Sequence, residues 1–451
     1  MSTIKGNLSA RDLEVIWHPY TQMQTAPAPI GIVRGEGACL YDEDNNAYID
    51  ATSSWWVNIH GHAHPHIAQQ LAAQALQLQH CIFAGYTHPP AVNLAERLLQ
   101  VLPANQRRVF YSDNGSTAVE VAIKMALQYW HNKGQQRHKI IAFKNAYHGD
   151  TFGAMSVSGR SVFTRVFDNF LFEVHFLDVP TPDNAAEIIA SIAAQQPDQI
   201  AAFIFEPLLQ GSGGMVMYDR DGFEQLLQYC RQQQILLIAD EVMTGFGRTG
   251  KNFAMEYMQT DADMICLSKG LTGGSMALGI TTCTGDIYDA FLSNDKLKTL
   301  FHGHSFTANP LACTVALASL DLFTDPACAV NRQRIHDNHR QFLEELRQMS
   351  VVKNARLLGT VLAFELVTDN ADGYTNQLAD HLHRFFRAKR IMLRPLGNTL
   401  YILPPYCITD EQLAAVYESI RELVSQSFIR EQRSKENKEK KESRGAKINK
   451  Y

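Results

Sequence analysis

An α/β fold, with a large domain built on a mostly parallel sheet and a smaller α+β domain, is predicted by three features of this chain. Apolar runs alternate with helical stretches from about residue 106 to 285, the pattern of strands joined by crossover helices. The runs at 235–239 and 264–267 contain no polar alternation, which suits strands covered on both faces. After Asp325-Pro326 the pattern changes, with a long polar helix expected around 333–349 and shorter strands at 355–366 and 391–403. In chain order, the strands of the large domain are expected at 108–111, 139–143, 201–205, 235–239 and 264–267.

Composition agrees with this. The 451 residues are 45% hydrophobic and 19% charged, enough to bury a large core in more than one domain. Eight cysteines, at 39, 81, 230, 266, 283, 313, 328 and 407, form no C-x-x-C pair, and several sit inside apolar runs. Such cysteines are expected to be buried thiols in a reducing compartment. Met1-Ser2-Thr3-Ile4-Lys5 has no apolar signal core, and no 18-residue apolar stretch exists, so a cytoplasmic location is expected. Residues 430–451 hold nine Lys/Arg against four Asp/Glu, a net of +5, which leaves −10 on residues 1–429. That basic tail, poor in apolar residues, is expected to be a disordered, solvated extension, without a nucleic-acid or membrane partner.

Four local patterns carry chemistry. Lys269 follows the apolar Met264-Ile265-Cys266-Leu267-Ser268 and precedes Gly270-Leu271-Thr272-Gly273-Gly274. A lysine at a strand end, desolvated and nucleophilic, is what a Schiff-base lysine requires. Twenty-nine residues earlier, Ile235-Leu236-Leu237-Ile238-Ala239 ends in Asp240-Glu241. Parallel sheets gather ligands at the carboxyl ends of their strands, so Asp240 and Lys269 are expected at one edge. A carboxylate and a lysine converging there is the arrangement pyridoxal phosphate (PLP) needs: an amine for its aldehyde and an acid for its pyridine nitrogen.

Ser112-Asp113-Asn114-Gly115-Ser116-Thr117 precedes a helical pattern, in which Ala118, Ala122, Met125 and Tyr129 recur at i, i+4, i+7 and i+11. A turn opening a helix near Ser116 presents N–H groups, hydroxyls and the positive dipole end to a phosphate. Asn145-Ala146-Tyr147-His148-Gly149-Asp150 follows the run at 140–143, and Tyr147 there is placed to stack on a flat cofactor.

Together these residues resemble the class III (ω-) aminotransferases, PLP-dependent transferases of fold type I. The resemblance spans Trp17 to about Phe428, and Asp240-Glu241-Val242-Met243-Thr244-Gly245-Phe246-Gly247-Arg248-Thr249-Gly250 carries the class pattern. Trp17-His18-Pro19-Tyr20-Thr21, Ser53-Ser54-Trp55-Trp56, Tyr147 to Ser156, and Arg394-Pro395 with Leu403-Pro404-Pro405-Tyr406 are similar to the members that serve biotin biosynthesis.

That likeness implies ping-pong transfer of an amino group from S-adenosylmethionine to 8-amino-7-oxononanoate, through Lys269 as covalent anchor and general base and Asp240 as pyridinium partner. By position it makes Gly115 and Ser116 phosphate ligands and Tyr147 the stacking residue at the substrate. Tyr20 and Trp55 become walls of the substrate pocket, and Arg394 the carboxylate holder. Gly303, His304 and Ser305 match a segment that reaches a neighbouring subunit's phosphate and substrate, implying a homodimer with sites at the interface. The usual Pro-Thr is His304-Ser305 here, and Ser305 keeps the hydroxyl. The resemblance also implies a division into 1–55, a segment joining the small domain; 56–325, the large PLP-binding domain; 326–429, the small domain; and the tail at 430–451.

Other ω-aminotransferase substrates (ornithine, 4-aminobutyrate, diamines), or lysine as donor in the same biotin step, remain open at this level, and a non-catalytic fold-type I protein is disfavoured by the presence of Lys269 and Asp240. His60, His62, His64 and His66 alternate in a segment read as a loop because of Gly61 and Pro65, without adjoining cysteines or carboxylates, and no metal site is expected there. Gly211-Ser212-Gly213-Gly214 lacks dinucleotide-fingerprint spacing.

Overall fold

The computed structural model describes residues 7–367 and 377–425. Its central sheet has seven strands in the order Gln106–Ser112, Gly279–Thr284, Met264–Leu267, Leu236–Asp240, Ile200–Phe205, Lys139–Phe143 and His175–Leu177. All neighbours pair in parallel except Gly279–Thr284, which runs antiparallel to both of its neighbours. The expected strands all form. Gly279–Thr284 was not expected, because three threonines dilute its apolar character. Tertiary partners absorb them: Thr281 donates to Ala118 O at 2.7 Å and Thr282 to Gln106 Oε1 at 2.7 Å.

Both faces of the sheet are covered, which explains the unbroken apolar runs. Phe203, Phe205, Leu237, Ala239, Ile265 and Leu267 point to one side, where Leu94, Leu98, Phe223 and Leu226 meet them. Ala202, Ile204, Leu236, Ile238, Met264 and Cys266 point to the other, against Ala118, Ala122, Met125 and Ala126 of the helix Gly115–Asn132. Each large side chain buried in this way contributes about 1.5–3 kcal/mol. The expected helix spacing was therefore the buried stripe of a real helix.

A four-stranded sheet joins Ile32–Glu36, Cys39–Asp42 and Ala47–Asp50 to the distant Ile391–Met392. A three-stranded antiparallel sheet is formed by Val352–Leu358, Val361–Leu366 and Thr399–Ile402. The run at 355–366 is thus a hairpin, turned at Gly359, where φ is 57° and an added Cβ would lie 2.2 Å from Gly250 N. The run at 391–403 is divided between the two sheets. The long helix spans Pro326–Arg347, starting seven residues before the expected 333, with Asp325 Oδ1 accepting Ala327 N at 2.8 Å. Its first turn, Pro326-Ala327-Cys328-Ala329-Val330, is an unbroken apolar cluster of which only Cys328 is buried, so helical periodicity did not mark it.

All eight cysteines are free, and six of them are buried. Among the described residues no single helix is long and apolar enough to cross a membrane; Pro310–Thr324 and Pro326–Arg347 reach that length only jointly, across a 67° bend. The basic tail at 430–451 lies outside the described residues.

Candidate active site

A cavity of about 390 Å³ opens at the carboxyl edge of the central sheet. Four strand ends deliver its polar groups. Asp240 closes the strand Leu236–Asp240 and pairs in register with Cys266, three residues before Lys269. Glu206 directly follows Ile200–Phe205, and Tyr147 and His148 follow Lys139–Phe143. Asp113, Asn114 and Gly115 line the opposite wall, where the helix Gly115–Asn132 begins.

Lys269 is half-buried because it faces the cavity. Desolvation lowers its pKa from 10.5 to about 8, a shift that Asp240 and Glu206 partly oppose. Its backbone has φ 47°, the left-handed region that a lysine rarely adopts and that concentrates at functional sites. The ammonium lies 4.5 Å from the centroid of the Trp56 ring.

Asp240 Oδ1 accepts Val242 N at 3.1 Å, and Oδ2 lies 2.7 Å from His148 Nδ1. The carboxylate can only accept, so Nδ1 carries the proton. Nε2 of His148 is buried without a hydrogen-bond partner among the described residues. Asp240 therefore ends its strand oriented by its own loop and by a histidine 92 positions away. No helix follows Asp240, so its carboxylate is not engaged as a helix cap.

Glu206 is fully buried and lifted to about 7, chiefly by desolvation; its oxygens accept Tyr147 N at 3.2 Å and Gly211 N at 3.0 Å. Tyr147 is raised above the usual tyrosine range, first by burial and then by Tyr20 and Asp150.

At the helix start, Asn114 Oδ1 accepts Thr117 N at 3.0 Å. A Cβ on Gly115 would meet Val242 Cγ1 at 2.7 Å, so only glycine brings this backbone N–H to the cavity wall. Ser116 is adjacent, but its hydroxyl is tied to Thr151, 2.8 Å from Oγ1 and 3.0 Å from N. Thr151 Oγ1 in turn donates to Glu120 at 2.5 Å, which leaves Ser116 as donor to Thr151.

Trp55, Tyr20 and Arg394 form a second group beside this cavity. The Arg394 guanidinium lies 5.1 Å from the Trp55 ring centroid, and the Tyr20 and Trp55 rings are 5.5 Å apart. Tyr20 joins the group to the cavity through Tyr147, hydroxyl to hydroxyl at 3.3 Å, and also donates to Asp150. Arg394 is half-buried. Gly303, His304 and Ser305 are not among the residues lining this cavity. They sit on an outer loop beside Lys124, whose Nζ donates to Phe301 O at 2.8 Å; Phe301 and Phe306 are 67% and 63% exposed. The loop is at the surface of its own chain.

Sequence reasoning placed Tyr147 but gave no role to its neighbour His148, and missed Glu206 and the contact of Trp56 with Lys269. The signal for His148 was its place one residue after Tyr147 at a strand end; for Glu206 it was an acid at the end of an apolar run. Three of the four alternating histidines bond to different elements: His60 reaches Ser319 Oγ at 3.0 Å, His62 reaches Asp50 at 2.9 Å, and His66 reaches Asp321 at 2.8 Å, while the His64 ring packs edge-on to His60 with centroids 6.5 Å apart. Of these, His66 belongs to the helix Pro65–Ala75 rather than to a loop.

The donor set fits PLP. It offers an amine with a lowered pKa, a carboxylate fixed at the cavity wall by His148, and helix-start N–H groups behind a glycine that a side chain would block. The chain is 48% identical, over 91% of its length and 98% of the relative's, to the adenosylmethionine-8-amino-7-oxononanoate aminotransferase of Synechococcus elongatus. The crystal structure of the enzyme so named from Methanocaldococcus jannaschii superposes with a TM-score of 0.87 at 36% identity, covering 92% of this chain and 98% of that one. An amine transaminase from an uncultivated Pseudomonas species, in its PLP-bound form, superposes with a TM-score of 0.84 at 31% identity, covering 91% and 98%. The family model for class III aminotransferases matches residues 20–424. A PLP-shaped donor set on this fold, with a match across nearly the whole chain, places the protein among the class III aminotransferases, enzymes that use PLP.

Proposed function

We propose that this chain transfers an amino group from S-adenosylmethionine to 8-amino-7-oxononanoate, yielding 7,8-diaminononanoate for biotin biosynthesis. The observation that carries the reading is the pairing of Arg394 with Trp55 beside the cavity, linked to it through Tyr20 and Tyr147. A guanidinium over an aromatic wall suits a carboxylate at the end of an aliphatic chain. Relatives named for this activity support the choice of substrates.

When bound, PLP supplies an electron sink for the charge left at the substrate's Cα. The protein's part is then assigned residue by residue. Lys269 would anchor the cofactor, and its free Nζ would take the proton from the substrate Cα as general base. With a pKa near 8, a useful fraction of this amine is unprotonated at neutral pH. Asp240, oriented by His148, would hold the proton on the pyridine nitrogen. Gly115 and Ser116 hold the phosphate through their N–H groups. Tyr147 stacks on the ring, Tyr20 and Trp55 shape the substrate wall, and Arg394 binds the carboxylate of the oxononanoate.

Gly303, His304 and Ser305 serve the phosphate and substrate of a second copy, so the active form is a homodimer with sites at its interface. The exposed Phe301 and Phe306 on that loop support a covered surface there. The division into 1–55 with 326–429 and 56–325 follows the same reading, supported by the pairing of Ala47–Asp50 with Ile391–Met392. The location is cytoplasmic.

Absorbance of the holoenzyme with S-adenosylmethionine and with lysine, offered separately, tests the donor. Bleaching of the cofactor's band by S-adenosylmethionine alone is expected. Bleaching by lysine alone would replace the donor, and no change with either would overturn the reading.

A further inference from the structure

The turn that carries both tryptophans is built against the preferences of its residues. Ser53, Ser54 and Trp56 have φ of 51°, 60° and 66°, and Ser54 combines its φ with a ψ of −91°. None is a glycine, the residue that adopts such angles freely. Strained backbone of this kind persists only where its surroundings over-determine it.

Asp50 is the main source of that over-determination. Its side chain is fully buried. One carboxylate oxygen accepts Thr52 N at 3.2 Å and Ser54 N at 2.8 Å. The other accepts Ser54 Oγ at 3.0 Å and faces His62 Nε2 at 2.9 Å. Both oxygens are therefore used twice, and His62 holds the carboxylate from behind. Two further bonds fix the far side of the turn: Ser53 Oγ donates to Leu403 O at 2.8 Å, and Trp56 Nε1 donates to Tyr401 OH at 3.0 Å.

The strand that ends in Asp50 also lies parallel to Ile391–Met392, with Asp50 opposite Met392. Met392 stands two residues before Arg394. One buried carboxylate thus grips the turn bearing Trp55 and sits in register with the strand leading to Arg394. The outcome is the 5.1 Å approach of the Arg394 guanidinium to the Trp55 ring.

We propose that Asp50, backed by His62, is a positioning residue for substrate recognition. It holds the Ser53–Trp56 turn in its strained form, and so sets Trp55 against Arg394 to receive an aliphatic carboxylic acid. Asp50 touches neither cofactor nor substrate and acts through the turn. The inference rests on the reading of Trp55 and Arg394 as the substrate wall.

The test compares Asp50→Asn, His62→Gln and Ser54→Ala with the unaltered holoenzyme. Ser54 is exposed, so Ser54→Ala removes one bond to Asp50 without emptying any core position. KM for 8-amino-7-oxononanoate is expected to rise at least fivefold in Asp50→Asn and about threefold in Ser54→Ala. In both, kcat and the PLP dissociation constant should stay within twofold. A lowered melting temperature with KM unchanged would overturn the proposal, because a merely structural clamp does only that.

A second readout needs no substrate. Of the four tryptophans, Trp17 is 87% and Trp55 42% exposed, whereas Trp56 and Trp130 are each 4% exposed. In a Trp17→Phe background, acrylamide quenching therefore reports mainly on Trp55. Quenching should increase when Asp50→Asn or Ser54→Ala is added, and unaltered quenching would overturn the proposal. If the unaltered enzyme does not aminate the oxononanoate, the substrate reading fails by itself, and the quenching still decides the role of Asp50.

Discussion

His148 Nδ1 lies 2.7 Å from Asp240 Oδ2, in a pair closed off from solvent on the histidine side. Two strand-end loops, 92 residues apart, thereby fix one carboxylate at the cavity wall. Because the bond ends on a charged group, losing it costs about 1.5–3 kcal/mol, roughly tenfold or more in an equilibrium that depends on the carboxylate's placement. His148→Asn is expected to raise the PLP dissociation constant about tenfold and to lower kcat, measured by equilibrium absorbance and by steady-state rates. Asp240→Asn should have the larger effect on both. Unchanged cofactor binding in the two variants would reduce the pair to a structural contact.

Lys269 provides a test of its electrostatics without turnover. Its pKa is lowered from 10.5 to about 8 by burial, so in the apoprotein the free amine forms as pH rises through about 8. The rate at which the apoprotein captures PLP as a borohydride-reducible bond should follow that midpoint. Peptide mapping should find the pyridoxyl group on Lys269. A midpoint near 10.5, or the label on another lysine, would remove Lys269 from its role.

Glu206 predicts a pH dependence of stability. Its folded pKa is about 7 against 4.5 when free, so the folded chain binds more protons between those values. Stability from this group is full below about 4.5 and is lost as pH rises through about 7. Glu241, buried and lifted to about 7 as well, adds to the same slope. Glu206→Gln should flatten, but not abolish, the fall in melting temperature across this window. It should also cost about 1–3 kcal/mol, since an amide can accept only one of the two N–H groups from Tyr147 and Gly211. An unaltered slope would contradict the assignment.

The chemistry of the cavity was legible in sequence where it is local. Lys269 and Asp240 each end an apolar run, and a run that ends in a charge marks a parallel strand's carboxyl end. The capped helix after Gly115 was legible for the same reason, because its turn and its periodicity adjoin. His148 on Asp240, Asp50 beneath the tryptophan turn and Trp56 against Lys269 were not, since each joins segments that no periodicity relates. Ser116 shows a further limit: its type suggested a phosphate hydroxyl, and only the fold reveals that the hydroxyl is engaged by Thr151. Gly279–Thr284 was hidden because its threonines are satisfied by partners far along the chain.

Arg394 separates binding from folding. If it holds the substrate carboxylate, Arg394→Ala should raise KM for 8-amino-7-oxononanoate about 30-fold or more, from the loss of roughly 2 kcal/mol or more in one charge-assisted pair. The melting temperature should change little, because the side chain is only half-buried. A lower melting temperature with KM unchanged would assign Arg394 to the framework instead.

The most direct measurement follows the transferred nitrogen. Holoenzyme is incubated with 8-amino-7-oxononanoate and S-adenosylmethionine labelled with ¹⁵N at its amino group, and the product is read by mass spectrometry. The account predicts 7,8-diaminononanoate carrying one ¹⁵N, and none from Lys269→Ala. Absence of that product, or product whose new nitrogen is unlabelled, would contradict it.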